Sequence, residues 1–75
     1  MVKIYSTSTC PYCIAAKEFL AEQKVEFEDM DVAADPAKAQ EMIDLSGQQG
    51  VPVIVINDEV IVGFDREKLN KALGL

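Results

Sequence analysis

The opening of the chain constrains the fold most, because a strand, a helix and a second strand follow one another within it. Residues 2–5 alternate apolar and polar side chains and end in a polar loop, which predicts a strand and a turn. Good helix formers fill residues 11–23, and residues 25–31 alternate with period two. Two strands that enclose a crossover helix pair in parallel, with a right-handed connection.

The middle of the chain adds a second helix and a hairpin. Asp35 and Pro36 form a typical helix start, and this helix is predicted to stop at residues 46–47, Ser-Gly. Residues 53–56 are a continuous β-branched run, as expected of a buried strand. Residues 59–62 are predicted to return beside it as an antiparallel partner.

A final helix, with Asp65 as its predicted cap, completes the order β-α-β-α-β-β-α. This order predicts an α/β fold with a four-stranded mixed sheet flanked by three helices. A chain of 75 residues has room for one domain, which we expect to span residues 1–75. The apolar positions predicted for the core are Phe19, Leu20, Phe27, Met42, Ile43, Val53, Val55 and Leu69.

Charge balance and apolar runs exclude several kinds of partner. The 13 acidic residues outnumber the 7 basic ones, and a net charge of −6 argues against a protein that tracks nucleic-acid phosphates. The longest apolar run, residues 51–56, is far too short to span a bilayer, and residues 1–5 lack the apolar stretch of a secretion signal. We therefore expect a monomeric cytoplasmic protein with neither a membrane nor a nucleic acid as partner.

The two cysteines, Cys10 and Cys13, lie together in the segment TCPYC, and the chain has no histidine. As a structural disulfide, the pair would close a loop too short to add more than about 2 kcal/mol. Zinc usually needs four Cys or His ligands, which one chain cannot supply, although a dimer could pair two such turns around zinc or an iron–sulfur cluster. A CxxC pair near a βαβ pattern is the sequence signature of a redox-active dithiol.

Cys10 is the predicted nucleophile of this dithiol. Pro11 fits the first helical position, so that Cys10 becomes the N-cap. Because Pro11 has no N–H, the donors left for the Cys10 sulfur are the N–H groups of Tyr12 and Cys13. These donors and the helix dipole favour the thiolate and lower the pKa of Cys10. Cys13 lies one turn further, is expected to be less exposed, and is predicted to resolve the mixed disulfide.

Three segments together resemble the glutaredoxin family. They are TCPYC at residues 9–13, GVPV at residues 50–53 and GFD at residues 63–65, in the family's order and spacing. The resemblance implies a thioredoxin fold, a cis peptide bond before Pro52, and a Val51 backbone that offers N–H and C=O to an extended substrate. The residues it assigns are Cys10 and Cys13 for catalysis and Tyr12, Val51, Pro52, Gly63, Phe64 and Asp65 for substrate binding.

The chain departs from glutathione-using glutaredoxins around the expected glutathione site. The departures are Thr7 for a basic residue, Gly50 for threonine, Val62 in a glycine pair, Arg66 for an acidic residue, and Gln48 and Gln49 where a basic residue often meets the glutathione carboxylate. They weaken that site, while Tyr12, Val51 and Asp65 remain. The reductant is therefore either glutathione or, as in NrdH-type redoxins, thioredoxin reductase, and no tightly bound cofactor is expected.

Several of these residues could have a purely structural role instead of, or in addition to, a functional one. Tyr12 is either an aromatic lid beside the sulfurs or an exposed helix residue, and Phe64 is either an exposed contact residue or a core plug. Asp65 is at least an N-cap, to which recognition of a substrate amine would be added. The acidic residues within 26–31 are expected to form a solvated face, and Lys17 is expected to be solvated.

Taken together, the sequence predicts a small dithiol thiol-disulfide oxidoreductase that reduces protein or glutathione-mixed disulfides through Cys10. One alternative is a dimeric metal or iron–sulfur cluster protein that uses the CPYC cysteines as ligands. A second alternative is a passive partner-binding module in which the dithiol is incidental.

Overall fold

The computed structural model describes residues 2–74 of the chain. Strands and helices follow one another in the predicted order. They are β1 (Val2–Ser6), α1 (Pro11–Glu22), β2 (Phe27–Asp31), α2 (Pro36–Ser46), β3 (Val53–Ile56), β4 (Glu59–Val62) and α3 (Arg66–Leu73). No helix in this described part is long and apolar enough to cross a membrane.

The strands form one mixed sheet in the order β2-β1-β3-β4. β1 pairs in parallel with β2, with Val2 opposite Phe27 and Ser6 opposite Asp31. On its other edge β1 pairs antiparallel with β3, and β3 and β4 form an antiparallel hairpin. The predicted parallel unit and the predicted hairpin are both confirmed, and β1 and β3 are the two central strands.

Side chains at the helix ends explain where α2 and α3 begin and end. Asp35 Oδ1 accepts hydrogen bonds from two backbone N–H groups of the first turn of α2, and Pro36 occupies the first helical position. Gly47 ends α2 with a φ of 74°, a left-handed conformation that glycine adopts at little cost. Asp65 caps α3 with one such hydrogen bond, which its Oδ1 accepts from the Lys68 N–H at 3.2 Å.

Helices α1 and α3 cover one face of the sheet, and α2 covers the other. The cluster under α1 and α3 is formed by Val2, Ile4, Ala16, Phe19, Leu20, Ile54, Ile56, Ile61 and Leu69. The cluster under α2 is formed by Tyr5, Met30, Met42 and Val53. Burial of these side chains on both faces is the main stabilising term of the fold. It fixes the two central strands, whose ends carry the cysteine turn and Pro52.

Strand β2 begins at Phe27, two residues later than predicted. Lys24 takes a φ of 58°, and the Val25 N–H donates to the Leu20 carbonyl at 3.0 Å. These residues therefore close the end of α1 instead of joining the sheet, although their alternating pattern resembles a strand. The predicted core residues are buried except for the half-buried Phe27, Ile43 and Val55.

Candidate active site

Cys10 lies at the N-terminus of α1, in the predicted capping position. Its backbone is extended, with φ −88° and ψ 115°, and Pro11 begins the helix. The Cys13 N–H donates to Cys10 Sγ across an N···S distance of 3.3 Å, and the Ile14 N–H donates to the Cys10 carbonyl at 3.1 Å. The sulfur thus receives a helix N–H group that has no partner within the helix, as a side-chain oxygen does at an ordinary N-cap.

Cys13, one turn further along α1, is fully buried, and both thiols are free. Burial raises the pKa of Cys13 to about 11, because a thiolate loses its solvation there, and the hydrogen bond to Cys10 adds to this effect. A backbone hydrogen bond from Thr7 acts in the opposite direction. The Cys13 thiol is therefore protonated at neutral pH.

The contact between the two thiols has the opposite effect on Cys10. The hydrogen bond from the Cys13 side chain is the largest influence and lowers the pKa of Cys10, while partial burial opposes it. The backbone N–H groups of Cys13 and Tyr12 and the positive charge of Lys17 lower this pKa further. The direction of the shift and the two backbone donors agree with the prediction from the sequence.

A polar network ties α1 to β1 and β2. Lys17 Nζ lies 2.9 Å from Asp29 Oδ2, and the buried Ser6 hydroxyl donates to Asp29 Oδ1 at 2.8 Å. Burial opposes ionisation of Asp29, but the hydrogen bonds from Lys17 and Ser6 bring the pKa of this carboxyl below its ordinary value. Lys17 therefore stays partly exposed, as predicted, but it also has a partner that the sequence did not show, because Asp29 lies on the face of β2 that α1 covers.

The segment before β3 brings the second signature beside the first. The Val51–Pro52 peptide bond is cis, as the family resemblance implied. Cys10 Sγ lies 3.9 Å from the Val51 carbonyl oxygen. The Gly63 N–H donates to the Pro52 carbonyl at 2.8 Å, which joins the third signature to the second. The second signature therefore lies beside Cys10, and the third signature is joined to the second through Pro52.

The remaining predicted binding residues differ in their surroundings. Tyr12 is 67% exposed on the first turn of α1. Phe64 is half-buried, and its ring packs edge-on against Phe19 with the centroids 6.0 Å apart. The Arg66 guanidinium lies 5.4 Å from the Phe19 ring centroid, a cation–π contact. Phe64 therefore has the core contact that was one of its two predicted roles, and Asp65 has the cap; the substrate contacts of both stay predictions.

Sequence reasoning missed one contact in the loop between α2 and β3. The Gln48 side chain accepts from the Gly50 N–H at 2.5 Å and donates through Nε2 to the Gly50 carbonyl at 3.0 Å. The available signal was an amide side chain two residues before a glycine in a short loop. A second missed contact, from the Tyr5 hydroxyl to the Glu41 carboxylate, joins residues far apart in the chain, so no local pattern could have shown it.

The similarity of the chain to known proteins gives independent evidence. A family model described as Glutaredoxin matches residues 2–61. The chain belongs to the glutaredoxin family. This glutaredoxin is 47% identical over 73 residues to an uncharacterized glutaredoxin-like 8.6 kDa protein in the rubredoxin operon of Clostridium pasteurianum, with 97% of each chain covered. It is 42% identical over 64 residues to glutaredoxin 3 of Escherichia coli K12, with 85% of this chain and 77% of that one covered.

Solved structures give the same family and the fold. Glutaredoxin from Archaeoglobus fulgidus matches with a TM-score of 0.90 and 31% identity over 96% of this chain and 84% of that one. The glutaredoxin-like NrdH-redoxin of Escherichia coli matches with a TM-score of 0.81 and 27% identity over 93% of this chain and 91% of that one. This glutaredoxin therefore has the thioredoxin fold and is a thiol-disulfide oxidoreductase. Disulfide-containing proteins and a reductase are the partners typical of its family, which has no tightly bound cofactor as a rule.

Proposed function

We propose that this protein reduces protein disulfides and glutathione-mixed disulfides, with Cys10 as the attacking group. The Cys10 thiolate attacks one sulfur of the substrate disulfide, so that a new S–S bond forms while the old one breaks. The leaving sulfur departs as a thiolate and takes a proton from solvent. The observation that carries this proposal is the position of Cys10 at the N-terminus of α1, where hydrogen bonds lower the pKa of its thiol.

Cys13 performs the second step in the proposed cycle. It loses its proton and attacks the Cys10 sulfur of the mixed disulfide, which releases the second substrate thiol and leaves a Cys10–Cys13 disulfide. The hydrogen bond to the Cys10 thiolate, which helps to raise the pKa of Cys13, disappears once Cys10 enters the mixed disulfide. Loss of that bond favours the second attack. Two electrons have then passed to the substrate, and a reductant must return them.

We assign substrate binding to the residues around Cys10. The Val51 backbone would form one rung of β-pairing with an extended substrate, beside the cis peptide bond and close to the reacting sulfur. The exposed Tyr12 ring supplies apolar contact area next to it. The full proposed set is Tyr12, Val51, Pro52, Gly63, Phe64 and Asp65.

The reductant is the finer part of the proposal, and the charges around the site favour thioredoxin reductase over glutathione. Glutathione carries two carboxylates, which bind best to cations or to backbone N–H groups. Lys17 is paired with Asp29. Thr7, Gln48 and Gln49 stand where the family often has basic residues. Glutathione stays the alternative reductant.

A comparison of two coupled systems tests the proposal. The oxidised protein is mixed with NADPH and thioredoxin reductase in one assay, and with NADPH, glutathione and glutathione reductase in the other. We expect faster NADPH consumption in the first system, with a Cys10→Ser variant inactive in both. Faster turnover with glutathione would replace the proposed reductant without changing the chemistry of Cys10. Absence of turnover in both systems would contradict the oxidoreductase cycle itself.

We further propose that the protein works as a monomer of one domain over residues 1–75 in the cytoplasm. Cytoplasmic reductants keep thiols reduced, which is the state that a disulfide-reducing dithiol needs at the start of its cycle. The burial of Cys13 supports the monomeric state, because its thiol cannot form a disulfide with another chain unless the helix end first unfolds locally. Size-exclusion chromatography of the reduced protein tests the oligomeric state.

A further inference from the structure

The loop between α2 and β3 is held by side chains rather than by a sheet. The Ser46 hydroxyl donates to the Met42 carbonyl at 2.7 Å and lies 3.0 Å from the Gln48 carbonyl oxygen. The Gln48 N–H in turn donates to the Ser46 hydroxyl oxygen at 3.4 Å. The last turn of α2 is thereby connected to the backbone of Gln48, two residues before the segment that faces Cys10.

The Gln48 side chain continues this connection to Gly50. Its amide group both accepts from the Gly50 N–H and donates to the Gly50 carbonyl, so that it pairs with this residue as a neighbouring strand would. Gly50 has no Cβ, and a Cβ built there would lie 2.6 Å from Gln48 Oε1. The glycine at this position is therefore what leaves room for the amide.

Val51 follows directly, and its carbonyl oxygen lies 3.9 Å from Cys10 Sγ. On the far side of Val51, the Pro52 carbonyl is held by the Gly63 N–H. The backbone groups of Val51 thus lie between Pro52 and Gly50. Pro52 is bonded to Gly63 just after β4, whereas the hydrogen bonds of Gly50 within the described residues 2–74 are those with Gln48. Loss of the Gln48 amide would therefore release Gly50, while the bond between Pro52 and Gly63 would remain.

We propose that Gln48 is a positioning residue for substrate binding, which fixes the Gly50–Val51 segment in the conformation that pairs with an extended disulfide substrate. This inference rests on the proposed function, since it concerns the binding edge of the same site. Without the amide, the segment samples other conformations, and a substrate must then order it on binding. The free-energy cost of ordering the segment weakens substrate binding, while the exchange reaction at the cysteines is unchanged.

The test uses the chemically reduced protein and a synthetic peptide with one disulfide bond, so that no reductase is needed. Single-turnover rates measured over a range of peptide concentrations give a half-saturation concentration and a maximum rate. The variants are Gln48→Ala, which removes the amide, Gly50→Ala, which displaces it, and the double variant. The control is Gln40→Ala, which removes a comparable exposed amide bonded to Asp44 on α2.

We expect each single variant to raise the half-saturation concentration about fivefold, because the two hydrogen bonds that are lost are exposed to solvent and lie at the weak end of the usual range. The double variant should show the same rise as the singles, since all three break one contact. In all three variants, the maximum rate of peptide reduction should equal that of the wild type. The pH dependence of Cys10 alkylation by iodoacetamide should also be unchanged. Gln40→Ala should match the wild type in every measurement.

Any of four outcomes would overturn the inference. An unchanged half-saturation concentration in Gln48→Ala would show that the amide does not position the segment. A shift in the alkylation profile or a fall in maximum rate of similar size would indicate general damage to the site. Effects of the two single variants that add in the double variant would show that they act separately. If the wild type itself shows no exchange that depends on Cys10, the proposed function fails and the inference fails with it.

Discussion

Cys10 and Cys13 lie three residues apart, yet they belong to two different regions of the molecule. Cys10 is at the rim, where backbone N–H groups and the Val51 carbonyl surround a partly exposed sulfur. Cys13 is in the interior, with no exposed surface. The pKa of the first thiol is lowered, while burial raises that of the second to about 11.

The difference shows how one helical turn separates two chemical roles. The first turn of α1 runs from the surface into the contact between helix and sheet. One cysteine is therefore partly exposed to solvent, while the other, at the far end of the same turn, is buried. A shared hydrogen bond then increases the difference, because it stabilises the thiolate at Cys10 and the thiol at Cys13. The chain thus obtains a nucleophile and a protonated reserve thiol without any histidine.

The largest expected effect separates the two roles in exchange itself. Cys10→Ser should abolish reaction with a disulfide peptide, because a hydroxyl is not ionised at neutral pH. Cys13→Ser should complete the first attack and stop, so that the peptide remains attached to Cys10. Mass spectrometry of the intact protein detects this adduct. An adduct of equal yield on Cys10→Ser would contradict the assignment of the two roles.

A second effect concerns stability at alkaline pH. Between about pH 9 and pH 11 the Cys13 thiol is ionised in the unfolded chain but protonated in the folded one, so the folded state binds more protons and stability falls as pH rises. The expected loss is about 2 kcal/mol across this range. Urea unfolding of the reduced protein measures it.

The matched variant for this measurement is Cys13→Ala, in which the alkaline decline should be smaller by that amount. Tyr5 also contributes to the decline, because burial and the hydrogen bond to Glu41 raise the pKa of its hydroxyl well above the ordinary value. That contribution is the same in both proteins and cancels in the difference. Parallel stability curves for the wild type and Cys13→Ala would show that Cys13 does not titrate in this way.

A third, smaller effect concerns the hydrogen bond between the thiols. Cys13→Ala removes the donor to Cys10, whereas Cys13→Ser keeps a hydroxyl in its place. We expect the alanine variant to raise the pKa of Cys10, because one hydrogen bond to a charged acceptor is lost, and the serine variant to raise it less. Thiolate absorbance at increasing pH measures both. An unchanged pKa of Cys10 in both variants would assign its lowering to the backbone donors instead of the Cys13 side chain.

The smallest expected effect tests the charge beside the cysteines. Lys17→Met removes a cation that lowers the pKa of Cys10, so this pKa should rise, but less than in Cys13→Ala, because Lys17 is the weakest of its causes. The control is Lys38→Met, which removes an equal charge beside Glu41 on α2 and should leave Cys10 unchanged. The Lys17 effect should shrink in high salt, because exposed charges are screened. Equal effects of the two variants would indicate net charge rather than Lys17.

The sequence allowed most of the fold to be predicted, because its signals are local. Pro11, the Asp35-Pro36 pair and Gly47 mark helix ends through backbone constraints that act wherever the chain goes. The start of β2 could not be predicted, because Val25 has a strand pattern and yet its N–H bonds back to Leu20. The alternation of apolar and polar residues does not show whether a residue near a turn will belong to the preceding helix end or to the following strand.

Less of the candidate site than of the fold could be predicted from the sequence. The capping position of Cys10 follows from Pro11 and elementary helix geometry, so it could be predicted. The ion pair of Lys17 with Asp29 and the packing of Phe64 on Phe19 could not, because both depend on how α1 lies on the sheet and against the end of β4. The Gln48 contact with Gly50 is short-range, but it forms only in the particular loop conformation that the chain adopts.

The central position of β1 has a consequence during synthesis of the chain. β1 and β2 are synthesised before β3, so the parallel pair can form while the other edge of β1 still lacks its partner. During that interval the edge carries unpaired backbone groups and the apolar Val2 and Ile4. Until the hairpin covers it, this unpaired strand edge is therefore open to pairing with other chains.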